Sequence, residues 1–199
     1  VRTVSLWGID VIPVTVEVDV GDGLPKTVIV GLPDSTVRES QERLVAAFKH
    51  AGLELPAGRV TINLSPTDLR KSGSHYDLPI ALSLGLAAGL VPKAKVDDLV
   101  LMGELALDGS LRPVTGVLPA ARWAKRAGAR ALVVPEANAA EAAVVEGLAV
   151  YPVRTLDDAT GLVSDRLILE PRQADVGTIF RQTASYDVDF ADVKGQEHA

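Results

Sequence analysis

The stretch "RKSGSHYDLPIAL", residues 70 to 82, places Arg70, Lys71, Ser72, Ser74, His75 and Asp77 in one short polar run that leads directly into an apolar one. These are the side chains of nucleophilic and general-base chemistry. A serine hydroxyl becomes a nucleophile only when a base lies within hydrogen-bond reach, and a lysine can be that base. Lys71 adjoins Ser72 and precedes Ser74 by three residues, yet nearness in sequence does not aim two side chains at each other. The competing reading is structural: a polar loop turns at Gly73 and Asp77 caps the helix that follows. The residues by themselves favour the structural reading, since an isolated Ser or His more often serves the fold.

The neighbouring segments decide how this loop is held. In "VIPVTVEVDV", Ile12, Val14, Val16, Val18 and Val20 alternate with polar residues, the period of a half-buried strand. "GDGLPKT" ends like a phosphate-binding loop at Lys26-Thr27, but Pro25 stands where that loop needs Gly, so a turn between strands is the better account. "TVIV" gives a second strand. A helix follows in which Val37, Leu44, Val45, Phe48 and Ala51 form the apolar face, Thr36 and Glu39 a capping box, and Gly52 the stop. "GRVTINLSP" returns as a strand and delivers the chain to the polar loop. "DLPIALSLGLAAGL" is apolar on all sides, which predicts the most buried helix, with Asp77 as its N-cap. "LVLMGELALDGSLRPV" predicts a hairpin turning at Asp108-Gly109, and helix and strand then alternate to about Ser164. From Asp165 to Ala199 the periodicity fades, as in a linker.

Composition bounds the chemistry. The chain has 199 residues, 47% hydrophobic, and its mean hydropathy of +0.21 supports a real core. Without Cys there are no disulfides, thiolate metal sites or Cys nucleophiles, and three His give no metal-ligand spacing. A net charge of −6 argues against a domain that coats nucleic acid through its overall charge, while leaving room for a local basic patch. The absence of an apolar run long enough to span a bilayer, and of a signal-peptide pattern, leads to the expectation of a cytoplasmic protein with no membrane partner.

The span from Lys71 to about Pro135 resembles the proteolytic domain of Lon proteases, in which a polar loop opens a buried helix and is followed by Gly-Glu, a hairpin, and a helix ending in Ala-Gly. The resemblance implies an α/β (α+β) sandwich of the kind shared with the second domain of ribosomal protein S5. The catalytic residues of that family do not carry over. Aligned on the buried helix, its nucleophilic Ser falls on His75, with Ser74 where a Pro belongs, and its Gly-Gly-Leu-Lys stretch falls on Thr115, Gly116, Val117 and Leu118. A one-residue slip puts Ser74 at the nucleophile position, yet no small shift supplies the Lys.

"RTVSLWGID", "VIVGLPDSTVRESQERLVAAFKHAG", "VTINLSPTDLRKSGSHYDLPIAL" and "DVKGQEHA" occur in the same order in the N-terminal domain of the ComM/YifB family, which the whole chain resembles. That resemblance implies a Mg-chelatase-like AAA+ ATPase of bacterial DNA processing, of which residues 1–164 are a catalytically inactive Lon-protease-like domain. Residues 165–199 would lead into the ATPase module. It further implies ATP and Mg²⁺ as cofactors of that module, none for the present residues, and a homo-hexamer of the whole protein. DNA, or a protein partner, would meet this domain at Arg70, Lys71, His75 and Arg112. The alternatives are an active protease using Ser74 with Lys71 or Lys125, and an S5-like RNA-binding domain, which the acidic balance and 4% aromatic content disfavour.

Overall fold

Alternating valines make the longest strand. In the computed structural model, which describes residues 1–8, 10–92 and 96–174, β1 (Arg2–Trp7) turns back into β2 (Asp10–Gly21) as an antiparallel pair. On β2, Val14 and Val16 are buried and Val18 half-buried, while Pro13, Thr15, Glu17 and Asp19 are exposed. Val20, at the end, is already open to solvent. After β3 (Lys26–Val30) and α1 (Ser35–His50), β4 (Arg59–Ser65) enters between β2 and β3, antiparallel to the first and parallel to the second. The "GDGLPKT" turn therefore joins two strands that are not hydrogen-bonded to each other, because β4 has taken the place between them.

The chain continues through a 3-10 turn (Ser74–Tyr76) into α2 (Asp77–Ala87), then β5 (Leu99–Leu101) and a small hairpin of β6 (Glu104–Leu105) and β7 (Leu111–Arg112). It ends in α3 (Val117–Arg126), β8 (Ala131–Pro135), α4 (Glu136–Ala143), β9 (Ala149–Val153) and α5 (Leu156–Val163). The main sheet has the order β3-β4-β2-β1-β5-β8-β9. The predicted hairpin is present but shorter than its alternation suggests. Leu99 and Leu101 belong to a parallel strand at the centre of the sheet, and only the part from Glu104 to Arg112 folds back on itself.

Helices α1, α2 and α5 cover one face of the sheet, whose side chains there include Val14, Val16, Ile62, Leu64, Leu99, Leu101 and Val133. Helices α3 and α4 cover the other face over β1, β5, β8 and β9, through Val4, Val100, Leu132, Val134 and Val150, and reach β2 at its start, where Val11 joins the same cluster. The sequence reflects this. β8 is buried at every residue and reads as a continuous apolar run, as a parallel strand covered on both sides must, whereas β2 and β4 alternate because one face meets water. Past α5, Leu169 packs on the α2/α5 side of the core and the Arg172 N–H donates to the Val150 carbonyl. Residues 175–199, most of the expected linker, lie outside the described residues.

Both expected caps are replaced. Asp34, not Thr36, caps α1, its carboxylate accepting from the Val37 N–H at 2.9 Å. Asp77 is not an N-cap; it is the first residue of α2, and its carboxylate points away from its own helix. Val45, expected on the apolar face of α1, is exposed, and Ser40 and Ala47 lie inside in its stead.

The turn before α1 passes against β4 at Gly31, where φ is +98° and a Cβ would sit 2.1 Å from the Leu64 carbonyl oxygen. The backbone of β4 cannot yield, being bonded to a strand on each side. Gly31→Ala is expected to cost roughly 2 to 4 kcal/mol. It would be read as a lower urea midpoint at unchanged slope; a loss under about 0.5 kcal/mol would contradict the close approach.

Candidate functional site: a locked polar loop at the head of the buried helix

The loop is stitched to the turn before α1. The Lys71 N–H donates to the Leu32 carbonyl at 3.0 Å, and the Lys71 carbonyl accepts from the Asp34 N–H at 2.9 Å. This draws the Lys71 side chain inward. It is fully buried, with its ammonium donating to the Pro66 carbonyl, and burial pushes its pKa down from the usual value against the pull of Asp68. His75 is also inside, 5% exposed, with Nε2 at 2.8 Å from the Val4 carbonyl, so that nitrogen carries the proton in the neutral ring. Of the four contact residues expected from the sequence, Arg70 and Arg112 are exposed, while Lys71 and His75 are withdrawn from the surface. Local sequence gave no sign of this, because Lys71 is held by backbone bonds to a turn some forty residues earlier and His75 by its ring on the Val4 carbonyl of β1.

The residues of the protease alternative are not brought together. The Ser74 hydroxyl donates to the Glu104 carboxylate, Lys71 is held by Pro66, and Lys125 lies at the other end of α3 beside Gly147. Leu118, at the position of the family's lysine, is in the first turn of α3, where its N–H donates to Glu141 at 3.0 Å. Concave regions of about 360 Å³ beside Tyr151 and the end of α5, and about 240 Å³ between α1 and β3, are lined by none of Lys71, Ser74 or His75. Among the described residues no group of His, Asp and Glu side chains has the arrangement of a metal site.

At the end of the loop, where α2 begins, lies an ion pair. Arg43, from the middle of α1, binds Asp77 in bidentate fashion, Nε to Oδ2 at 2.6 Å and Nη2 to Oδ1 at 3.0 Å, and Nη2 also donates to the Thr36 carbonyl at 3.2 Å. Asp77 takes a further bond from the Leu105 N–H at 3.0 Å. Burial pushes the Asp77 carboxyl up and Arg43 pulls it back, while the Arg43 guanidinium is raised by its bond to Asp77. Tyr76, stacked beside His75 with ring centroids 4.2 Å apart, is pushed up to about 12 by burial. Arg43, Glu104 and Tyr76 were not singled out from the sequence. The one signal was Arg43 itself, a charge next to Leu44 on an otherwise apolar helix face.

Two measurements follow. Removing Arg43 leaves a buried carboxylate with no counter-charge, so Arg43→Ala is expected to cost about 3 to 5 kcal/mol. Arg43→Met combined with Asp77→Asn, which keeps an acceptor for Leu105, should cost clearly less; equal losses would deny the coupling. For His75, burial lowers the pKa in the folded chain, so between that value and the unfolded value near 6.5 the unfolded chain binds the extra proton. Stability should therefore rise with pH up to about 6.5, by at most about 1.4 kcal/mol per unit, and level off above. His75→Gln should remove that rise, seen as urea midpoints between about pH 5 and 7; an unchanged slope would contradict a buried neutral ring.

Comparison with known proteins covers the same ground. The family model of subunit ChlI of Mg-chelatase matches residues 16–138. YifB of Escherichia coli is 37% identical over 198 residues, and competence protein ComM of Haemophilus influenzae 35% over 188, which is 99% and 94% of this chain but 38% and 36% of those proteins. An archaeal Lon protease of Methanocaldococcus jannaschii is 30% identical over 129 residues, 62% of this chain and 19% of that protein, in keeping with the α/β fold described above. The chain thus spans less than two-fifths of the length of its curated YifB and ComM relatives. It belongs to the ChlI-like family of Mg-chelatase-related proteins that includes YifB and ComM, and corresponds to their N-terminal domain.

Proposed function

We propose that this domain hydrolyses nothing itself and serves a YifB/ComM-type protein as the module that engages DNA. The observation that carries the first half is the pairing of Ser74 with Glu104 and of Lys71 with Pro66. The lysine base that a Ser-Lys dyad requires does not meet the serine: Ser74 donates to Glu104, and the Lys71 ammonium is buried on the Pro66 carbonyl. Support for the second half comes from the relative named as a competence protein and from the exposure of Arg70 and Arg112. On this reading the work is done elsewhere in the whole protein, by an AAA+ module that binds ATP with Mg²⁺ and assembles into a hexamer in the cytoplasm. Such a module needs a phosphate-cradling loop with its Lys, which residues 1–199 do not contain. Among the described residues no helix is long and apolar enough to cross a membrane.

The second reading, an active Lon-like serine protease, rests on the identity to the archaeal enzyme. A serine-directed fluorophosphonate probe separates the two. The chain should stay unlabelled with Ser74 intact, and a chain carried on through the remainder of the YifB-like protein should hydrolyse ATP while residues 1–199 do not. Stoichiometric labelling that disappears in Ser74→Ala would establish the protease reading.

A further inference from the structure

Residues 109 to 135 contain Arg112, Arg122, Lys125, Arg126 and Arg130 and not one Asp or Glu, in a chain whose net charge is −6. α3 lies at the centre of this run. At 100° per residue, Leu118, Arg122, Lys125 and Arg126 fall within an arc of about 100°. All four are exposed, opposite the buried Val117, Ala120, Ala121 and Ala124. Trp123 lies outside the arc, about 60° beyond Arg126, and is half-buried against the core patch that Val11 also covers.

The fold has no need for this arrangement. Arg122 has Lys125 three residues on and Arg126 four residues on, the spacings at which like charges repel along a helix. The helix dipole accounts for Lys125 and Arg126 in the last turn, but its effect fades within that turn and does not reach Arg122. Elsewhere the chain matches such cations with carboxylates: Arg43 with Asp77, Arg154 with Glu136, Arg166 with Asp157. Arg122, Lys125 and Arg126 make no ion pair or hydrogen bond among the described residues. Of the carboxylates of α4 and its following turn, Glu136 is paired with Arg154 and Glu141 is engaged by the Leu118 N–H; Glu146 lies next to the Gly147 that Lys125 approaches, but makes no ion pair with that lysine among the described residues.

We infer that this face of α3 binds single-stranded DNA, its three cations meeting successive phosphates and Trp123 meeting a base beside them. The inference rests on the reading of the chain as a DNA-engaging module and moves the contact from the 70–77 loop to α3. Pairing basic side chains with a nearby aromatic ring is the chemistry that holds a single strand without regard to sequence. Phosphate contacts and stacking on a ring are open to every base, so binding of this kind is tolerant of sequence.

The test is fluorescence anisotropy with a labelled oligothymidine of about 20 nucleotides, a length that exceeds one such site, on residues 1–199 and on the full-length protein. Arg122→Ala/Lys125→Ala/Arg126→Ala should weaken binding at least about tenfold at low salt and lower the steepness of its salt dependence by about 2 units, while Arg154→Ala changes neither. These residues are exposed, so circular dichroism of the triple variant should match the parent. In a Trp7→Phe chain, where Trp123 is the remaining tryptophan, the oligothymidine should quench the emission. If the triple variant binds as the parent does, the face is wrong while the DNA-engaging reading stands. If neither length binds oligothymidine at low salt, that reading falls with it. Tighter binding of duplex, or equal displacement by polyglutamate, overturns the assignment to a single strand.

Discussion

Asp77 carries a carboxylate at the buried end of a helix that has no solvent-facing side over its first two turns, and the pairing of that charge with Arg43 is the constraint around which the domain closes. A lone carboxylate at that depth would be far too costly to keep ionised, so α2 can enter the interior only with a cation to meet it. Arg43 comes from α1, and Oδ2 of Asp77 also accepts the Leu105 N–H from the small hairpin. Three elements distant in sequence are thereby fixed at one point. The loop from Arg70 to Tyr76 leads directly into that point.

Once α2 is seated, the layers follow. Its sides touch β2, α1 and α5, so the apolar residues of Leu78, Ile80, Leu82 and Leu84 are shared between two core regions on one face of the sheet. The second layer, α3 with α4, is anchored by Asn138, whose side chain both donates to and accepts from the backbone of Val114. That bond replaces a backbone pairing for the segment entering α3 and sets the helix with its alanines inward and its cations outward. The geometry that turns the 70–77 loop into a locked core feature also leaves α3 as the more open charged surface.

A protease-like fold with its polar loop converted to structural use is consistent with this organisation. The serine, lysine and histidine that draw the eye in "RKSGSHY" each have a partner that serves the fold, and the pKa displacements of Lys71, His75 and Tyr76 all have burial as their first cause. Perturbed titration is a guide to active sites only where the group is also reachable. Here the perturbed groups are enclosed.

Periodicity was sufficient for the elements: the alternation in β2, the helical spacing of Val37, Leu44 and Phe48, and the all-round apolarity of "DLPIALSLGL" each specify their structure through burial patterns that need only local sequence. The order of the motifs along the chain likewise carried the family. Other features were decided by tertiary structure, because they depend on which distant groups meet. Strand β4 displaced β3 from its expected neighbour, since pairing is chosen by the whole sheet and not by the turn. Asp34 won the cap of α1 and Asp77 went to Arg43, since a carboxylate is taken by the nearest strong donor in space. Lys71 and His75, polar by type, lie inside, Lys71 through backbone bonds to Leu32 and Asp34 and His75 through its ring Nε2 on the Val4 carbonyl, partners that their sequence neighbours do not reveal.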